Sequence, residues 1–351
     1  MKKIMKKVMG VILAAALLLS VAACDTGGAG AGTAAAGFPT RDINIVVPWG
    51  AGGITDIAVR SLAELMHEPI GVNMPILNMG GASGSIGLQD VFNSPRDGYR
   101  ILATSLQSLS SVSILDFSEV TPGEWYTWTA VHSPNVIAVR ADSEFETLTD
   151  LINAMAASPG TITIGTAGPG SSGHLGAVVL TGAADVTFNH IPYDGSAPAV
   201  IAVLSGEVML TTQLLVDKID YIRAGELRAL ATMSDETIEL VGVDGQTIAI
   251  PSAKEEIPAL ADWLPWGSDI GLMVPRDTPS EVLSAFDAAF NSAVHSDAFA
   301  EFSAGRGFVV WGMNRADSDA FIEGLSAKIA WTLYDAGLAV NSPVDFGLPR
   351  P

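Results

Sequence analysis

Apolar positions along this chain follow two alternating rhythms. Ile43-Asn44-Ile45-Val46-Val47-Pro48 is a short apolar run that reads as a buried strand, and Thr55 to Glu68 then sets Ile57, Ala58, Leu62, Leu65 and Met66 at helical spacing. The alternation continues. Strands are predicted at Pro75 to Met79, Arg100 to Thr104, Asn135 to Arg140, Thr161 to Gly165, Phe188 to Ile191, Val208 to Thr212 and Leu227 to Ala231. Helices are predicted at Ser85 to Phe92, Leu148 to Ala157 with a cap around Thr147, Leu175 to Thr181, Ala197 to Leu204 and Val216 to Ala224. Strands alternating with helices of this length imply parallel sheets covered on both faces. Thr237 to Leu264, with its glycines, prolines and Lys254-Glu255-Glu256, breaks the rhythm and reads as a surface excursion and return crossing. A strand at Ile270 to Val274 follows, then one long helix from Ser280 to about Ser303, begun by the turn and cap residues Asp277-Thr278-Pro279-Ser280. A strand at Phe308 to Trp311 and a terminal helix from Ser318 to about Ala336 complete the pattern. That helix carries Phe321, Ile322, Leu325, Ile329 and Leu333 on one face.

The first residues obey a different logic. Lys2, Lys3, Lys6 and Lys7 precede an apolar stretch from Val8 to Val21, too short to span a bilayer comfortably but suited to export. Leu19-Ser20-Val21-Ala22-Ala23-Cys24 then holds the single cysteine of the chain. This resembles a bacterial lipoprotein signal, with residues 1–23 removed and Cys24 lipidated. The two acyl chains of a diacylglyceryl thioether, at roughly 0.8 kcal/mol per buried methylene, would hold the protein to a membrane. Residues 24–37 are poor in large apolar side chains and read as a flexible tether with a reach of about 20 Å. With the one thiol lipidated, disulfide, cysteine-nucleophile and thiolate-metal chemistry are excluded.

Charge narrows the partners. Removing the four signal lysines leaves 14 basic residues against 38 acidic ones, a formal charge of about −24. Nucleic acid is a poor partner for such a field, and an anionic ligand must be met by local donors. No second apolar run reaches transmembrane length, so any transport role needs separate membrane subunits.

Two strand-to-helix turns carry the candidate chemistry. In Trp49-Gly50-Ala51-Gly52-Gly53-Ile54-Thr55-Asp56 the glycines expose backbone amides at a helix start, where the helix dipole favours a carboxylate or phosphate. Asp56 itself reads better as a cap than as a ligand contact, since it would repel an anion. The second turn, Gly165 to His174, repeats the arrangement and adds hydroxyls and an imidazole. His174 reads equally as a donor to a carboxylate or as a steadying bond within the loop. Arg41, Arg60, Arg96 and Arg100 lie outside the turns and read as solvated surface. A third cluster, Gly80 to Gly87, lacks the dinucleotide fingerprint, and no phosphate-loop signature occurs. Gly170-Ser171-Ser172-Gly173 is one residue short of a hydrolase elbow. The five histidines include no pair three or four apart, so no metal centre is expected.

Taken in order, the motifs resemble the receptors of tripartite tricarboxylate transporters, the TctC or Bug type. The resemblance rests on Phe38-Pro39-Thr40-Arg41 before Val46-Val47-Pro48-Trp49-Gly50-Ala51-Gly52-Gly53, Asn78 with Gly80 to Gly87, Asp97-Gly98-Tyr99, Gly165-Thr166-Ala167-Gly168, and Pro192-Tyr193-Asp194-Gly195. Leu204 to Val208, Gly225 to Ala231 and Val274 to Pro279 extend it, so it covers nearly everything from Phe38 onward. Departures are Met79 for the usual proline, Trp49 for the usual phenylalanine, and Thr211-Thr212-Gln213 without an aspartate often found there. The resemblance implies a periplasmic-binding-protein-like α/β fold: two α/β domains with mainly parallel sheets, joined by crossing strands near Ser133 to Arg140 and Trp263 to Ile270. Domain 1 would comprise 38–135 and 268–351, and domain 2 would comprise 136–267. The ligand would lie in the cleft between them. Implied ligand contacts are Trp49, Ala51, Gly52, Gly53, Thr55, Asp56, Thr104 and Ser105 on one side, and Thr166, Ala167, Gly168, Ser171, Ser172, His174, Tyr193 and Gly195 on the other.

The expected function is an extracytoplasmic, lipid-anchored solute-binding receptor. It would capture a small organic anion, a carboxylate, as a monomer without cofactor or catalysis, and deliver it to a two-component membrane permease. Two alternatives stand beside it: a ligand sensor for a membrane signalling partner, and a serine hydrolase using Ser171 or Ser172 with His174.

Overall fold

The computed structural model describes residues 37–351, of which Phe38 to Pro351 form one compact unit. The signal, Cys24 and all but the last residue of the tether lie outside the described residues. The chain opens with β1 (Asn44–Val47), α1 (Ile54–Ile70), β2 (Ile76–Asn78), α2 (Ser85–Phe92), β3 (Arg100–Ser105) and α3 (Leu106–Ser111), followed by β4 (Trp125–Pro134). Then come β5 (Val136–Arg140), α4 (Leu148–Ala157), β6 (Thr163–Thr166), α5 (Ser172–Ala183), β7 (Asn189–Pro192), α6 (Ser196–Ser205), β8 (Leu210–Thr211), α7 (Ile219–Arg223) and β9 (Leu227–Thr232). A hairpin of β10 (Ile238–Val241) and β11 (Thr247–Ile250) leads to β12 (Gly267–Pro275), α8 (Ser280–Val294), α9 (Asp297–Arg306), β13 (Val309–Met313) and α10 (Arg315–Asp335).

These elements form two main sheets. The first has strand order β13-β4-β12-β3-β1-β2 and the second β7-β6-β8-β5-β9. Only β1 with β2 and β3, and β6 with β7 and β8, pair in parallel. β12 pairs antiparallel with β3 and β4, β13 with β4, and β5 with β8 and β9. The expectation of mainly parallel sheets is therefore corrected to mixed ones. The chain passes from the first sheet to the second without a helix, β4 running into β5 through Asn135 alone, and β5 enters its sheet antiparallel to its neighbours β8 and β9.

Strand β4 is the largest element that periodicity missed. Of its ten residues all but Tyr126 are buried, because it lies inside its sheet between β12 and β13. A strand covered on both faces shows no apolar-polar alternation. One of its hydroxyls finds a partner within the core: Thr129 Oγ1 lies 2.9 Å from Ser318 Oγ on α10. Gly271 is required where β12 meets it, since a methyl there would sit 2.1 Å from the Trp128 carbonyl oxygen.

Two further elements differ from expectation. The long helix from Ser280 breaks at His295, because Ser296 caps a new helix by accepting the Phe299 amide at 3.2 Å. Within the 237–264 excursion, β10 and β11 pair through a turn in which Gly245 takes φ +80°. Asp244-Gly245 between alternating apolar residues is a hairpin signal that could have been read.

Helix α10 ties the layers together. It packs against α3, β4 and α5, and its Ile322, Leu325, Ile329 and Leu333 share one apolar core with Leu102 and Leu106 of the first sheet region and Ile137, Ile164 and Leu175 of the second. Fully burying a side chain of this size contributes about 1.5–3 kcal/mol, so this continuous core joins the two sheets strongly. Among the described residues no helix is long and apolar enough to cross a membrane.

Candidate functional site

The first turn leaves β1 at Val47 and enters α1 at Ile54. Helix α1 forms because Ala58, Val59, Leu62, Ala63, Met66 and Ile70 recur at helical spacing and are buried, and it ends where Gly71 adopts φ +81°. Asp56, in the first turn of α1 and 2% exposed, folds its carboxylate back over the loop. Oδ2 accepts the Gly52 amide at 2.8 Å and Arg60 Nε at 2.9 Å, while Oδ1 accepts Arg60 Nη2 at 2.7 Å and Asn78 Nδ2 at 3.0 Å. Burial alone would raise this carboxyl, but the Arg60, Gly52 and Asn78 donors outweigh it and hold it below the usual carboxylate range. Asn78 Nδ2 also donates to the Trp49 carbonyl at 3.1 Å, and Trp49 Nε1 donates to Thr104 Oγ1 at 3.1 Å. Trp49, Gly52, Asp56 and Thr104 are thus brought together, with Thr55 beside them. Ser105 turns away to cap α3 by accepting the Ser108 amide.

Arg60 is the main correction on this side. Half exposed, it is not a free solvated side chain but clamps Asp56 in a fork-to-fork ion pair. Arg41, Arg96 and Arg100 are likewise paired, with Asp97, Asp277 and Asp90. The four-residue spacing of Asp56 and Arg60 on a helix was a readable signal.

The second turn leaves β6 at Thr166 and enters α5 at Ser172. Ser171 caps α5, its hydroxyl accepting the His174 amide at 3.3 Å. His174, 3% exposed, accepts the Gly170 amide on Nδ1 at 3.1 Å, which is the steadying role, and its ring stacks on His190 with centroids 4.2 Å apart. An imidazole accepting on Nδ1 is neutral with its proton on Nε2. Burial first, then the neighbouring His190, pushes its pKa down to about 4. His190 is held low by burial, and its Nε2 lies 2.6 Å from Thr166 Oγ1. Tyr193 donates its amide to the Thr166 carbonyl at 2.8 Å and its hydroxyl to Glu207 at 2.9 Å; burial and then Glu207 push it up to about 12. Gly195 caps α6. Ser172 Oγ donates to Asn135 Oδ1 at 3.1 Å. Neither Ser171 nor Ser172 hydrogen-bonds an imidazole, as a hydrolase would require.

What the turns offer is a set of unengaged amides. Gly52 and Gly53 spend theirs within the loop, on Asp56 and on the Gly50 carbonyl. Among the described residues no protein acceptor meets the amides of Ala51, Ile54 or Thr55 in the first turn, or of Ala167, Gly168, Ser172 or Gly173 in the second. No hydrogen bond joins the two groups of residues, although a methyl on Gly170 would lie 2.5 Å from Leu115, just beyond α3. Two open surface concavities, one lined by Asp42, Arg60, Glu64 and His67 and the other by Gln89, Phe92, Phe117 and Glu124, lie away from these amides.

Residues that sequence reasoning missed are Arg60, Asn78, Asn135 and His190. Asn135 is fully buried between the sheets and donates to the carbonyls of Ser172 and Thr212. Nothing local marks it, because its partners lie 37 and 77 residues away.

Two mixed α/β sheets joined by a direct strand crossing, each presenting a glycine turn at a helix start, define a solute-binding protein of the periplasmic-binding type. The model for the tripartite tricarboxylate transporter family receptor matches residues 58–338, and the chain belongs to that family. It is similar to the protein BugT of Bordetella pertussis, at 28% identity over 309 residues covering 86% of this chain and 87% of that one. Its fold is similar to that of the periplasmic binding protein BugD, with a TM-score of 0.73, 26% identity, and coverage of 86% of this chain and 99% of that one. An R. palustris protein solved with adipate superposes with a TM-score of 0.71 and 25% identity, over 86% of this chain and 99% of that one.

Proposed function

We propose that this chain is an extracytoplasmic receptor, lipid-anchored through Cys24, that captures a small organic carboxylate and hands it to a two-component membrane permease without chemical turnover. In this reading residues 38–135 with 268–351 and residues 136–267 act as two lobes that close on the ligand as a monomer. The observation that carries it is the pair of amide sets left without protein acceptors at the starts of α1 and α5. Helix-start amides favour a carboxylate without a lysine or arginine, which suits a chain whose net charge is strongly negative. The adipate found in a relative belongs to the same chemical class.

Thermal unfolding of the chain with C4 to C6 dicarboxylates, tricarboxylates, aromatic acids and amino acids tests the reading. A carboxylate at a hundredfold excess over its Kd should stabilise the folded state by about 2.7 kcal/mol. No shift with any carboxylate, and a shift with a neutral sugar instead, sinks it.

A further inference from the structure

We propose that Leu115 is a positioning residue for ligand capture: seated against Gly170, it fixes where the second glycine turn stands relative to the first, and the last segment of the chain holds it there. This rests on the receptor reading above and deepens it. In that reading the free amides of both turns grip one ligand, so their spacing has to be held to within about 0.5 Å. Leu115 belongs to the lobe of the first turn, and Gly170 to the second turn itself. Gly170 is buried, adopts φ +76° and gives its amide to His174, and a methyl built on it would fall 2.5 Å from Leu115 Cδ1. The missing side chain is what lets the turn close onto the leucine.

Leu115 is itself held from behind. It follows α3 in a turn where its amide donates to the Ser111 carbonyl at 3.0 Å and the Phe117 amide to the Val112 carbonyl at 2.8 Å. Asp116 takes φ +62° there, a left-handed conformation that a residue other than glycine keeps only where its surroundings enforce it. The enforcing contacts come from the far end of the chain. The Ile114 carbonyl accepts the amides of both Val340 and Asn341 at 3.0 Å, and Asn341 Nδ2 donates to the Ser113 carbonyl at 2.8 Å, across 228 residues of sequence. That segment is anchored in turn, with Leu338, Ala339, Phe346 and Leu348 packed on the shared core and Trp331 Nε1 donating to the Leu348 carbonyl at 3.2 Å. Among the described residues no hydrogen bond runs from Val340 or Asn341 to either glycine turn, so the segment reaches the second turn through Leu115.

Hydrogen–deuterium exchange of the ligand-free chain and stopped-flow binding of adipate, both on the full chain, test this with Leu115→Ala, Leu115→Met and Asn341→Ala. Leu115→Ala should speed exchange of the amides from Ala167 to Gly173 and weaken adipate about 10-fold, chiefly through faster dissociation. Methionine refills the place and should restore affinity to within about threefold. Asn341→Ala should give the same pattern more weakly and add little in the Leu115→Ala background, because both act through one contact. Leu283→Ala, in the separate core that α1 and α8 share, lowers the thermal midpoint without touching this contact and should leave exchange at the turn and affinity unchanged. Native exchange and affinity in folded Leu115→Ala, or equal losses from Leu283→Ala, overturn the assignment. If the unaltered chain binds no dicarboxylate, the receptor reading fails, and exchange at the second turn alone then decides whether Leu115 positions it.

Discussion

The turns before α1 and α5 look alike in sequence, yet they are braced by different chemistry. The first is held by a charged clamp, Asp56 with Arg60 and Asn78, on a helix whose guanidinium is half exposed. The second is held by neutral groups, with the His174 imidazole accepting Gly170, the Ser171 hydroxyl accepting His174, and Asn135 bonded to Ser172. The same product, a row of free helix-start amides, is reached by both routes. Neutral bracing suits the turn that packs into the shared core, because burying ions there would cost several kcal/mol each. The charged clamp sits where water can still reach one partner.

The largest expected effect comes from removing the acceptor at the centre of the first brace. Asp56→Ala strands the Gly52 amide and Asn78 and should cost about 3 kcal/mol in urea unfolding. A loss under 1 kcal/mol would show that the turn holds itself. Acid should separate the two braces next. His174 has its folded pKa lowered to about 4 from 6.5, so the unfolded chain binds more protons between those values. Stability from this group is complete above pH 6.5 and falls as pH drops toward 4, by up to about 3 kcal/mol. Asp56, also lowered in the folded state, keeps its contribution until pH falls below about 3.8. His174→Gln should flatten the decline between pH 6.5 and 4, and a decline that persists unchanged assigns it to another group.

Arg60→Ala should cost only about 1 kcal/mol, because its guanidinium is 49% exposed and solvent screens its charge. Parity with Asp56→Ala would mean that the clamp depends on the cation itself rather than on the Gly52 and Asn78 bonds. Tyr193→Phe removes one exposed-side bond to Glu207 and should cost about 0.5 kcal/mol in the same unfolding assay.

Much of this architecture was legible before any coordinates. The amphipathic spacing of α1 and α10, the limits of α2 and α4 with the Thr147 cap, and both glycine turns follow from interactions within a few residues. Local propensity and periodicity encode such contacts directly. The break at Ser296 and the hairpin at Asp244-Gly245 were also local, and their signals lay in the chain unread.

What only the tertiary structure decided is of another kind. Strand β4 shows no alternation because both its faces are covered, and its antiparallel pairing with β12 joins segments more than 130 residues apart. Which turn amides are spent and which stay free depends on Asp56 reaching back to Gly52 and His174 to Gly170, a matter of side-chain geometry. Asn135 acquires its role from Ser172, 37 residues away in sequence. Sequence alone determined most of the elements, both glycine turns and the family pattern, because those arise from near neighbours. The donors left for a ligand were decided by folding, because a hydrogen bond between distant residues leaves no periodic trace in the chain that makes it.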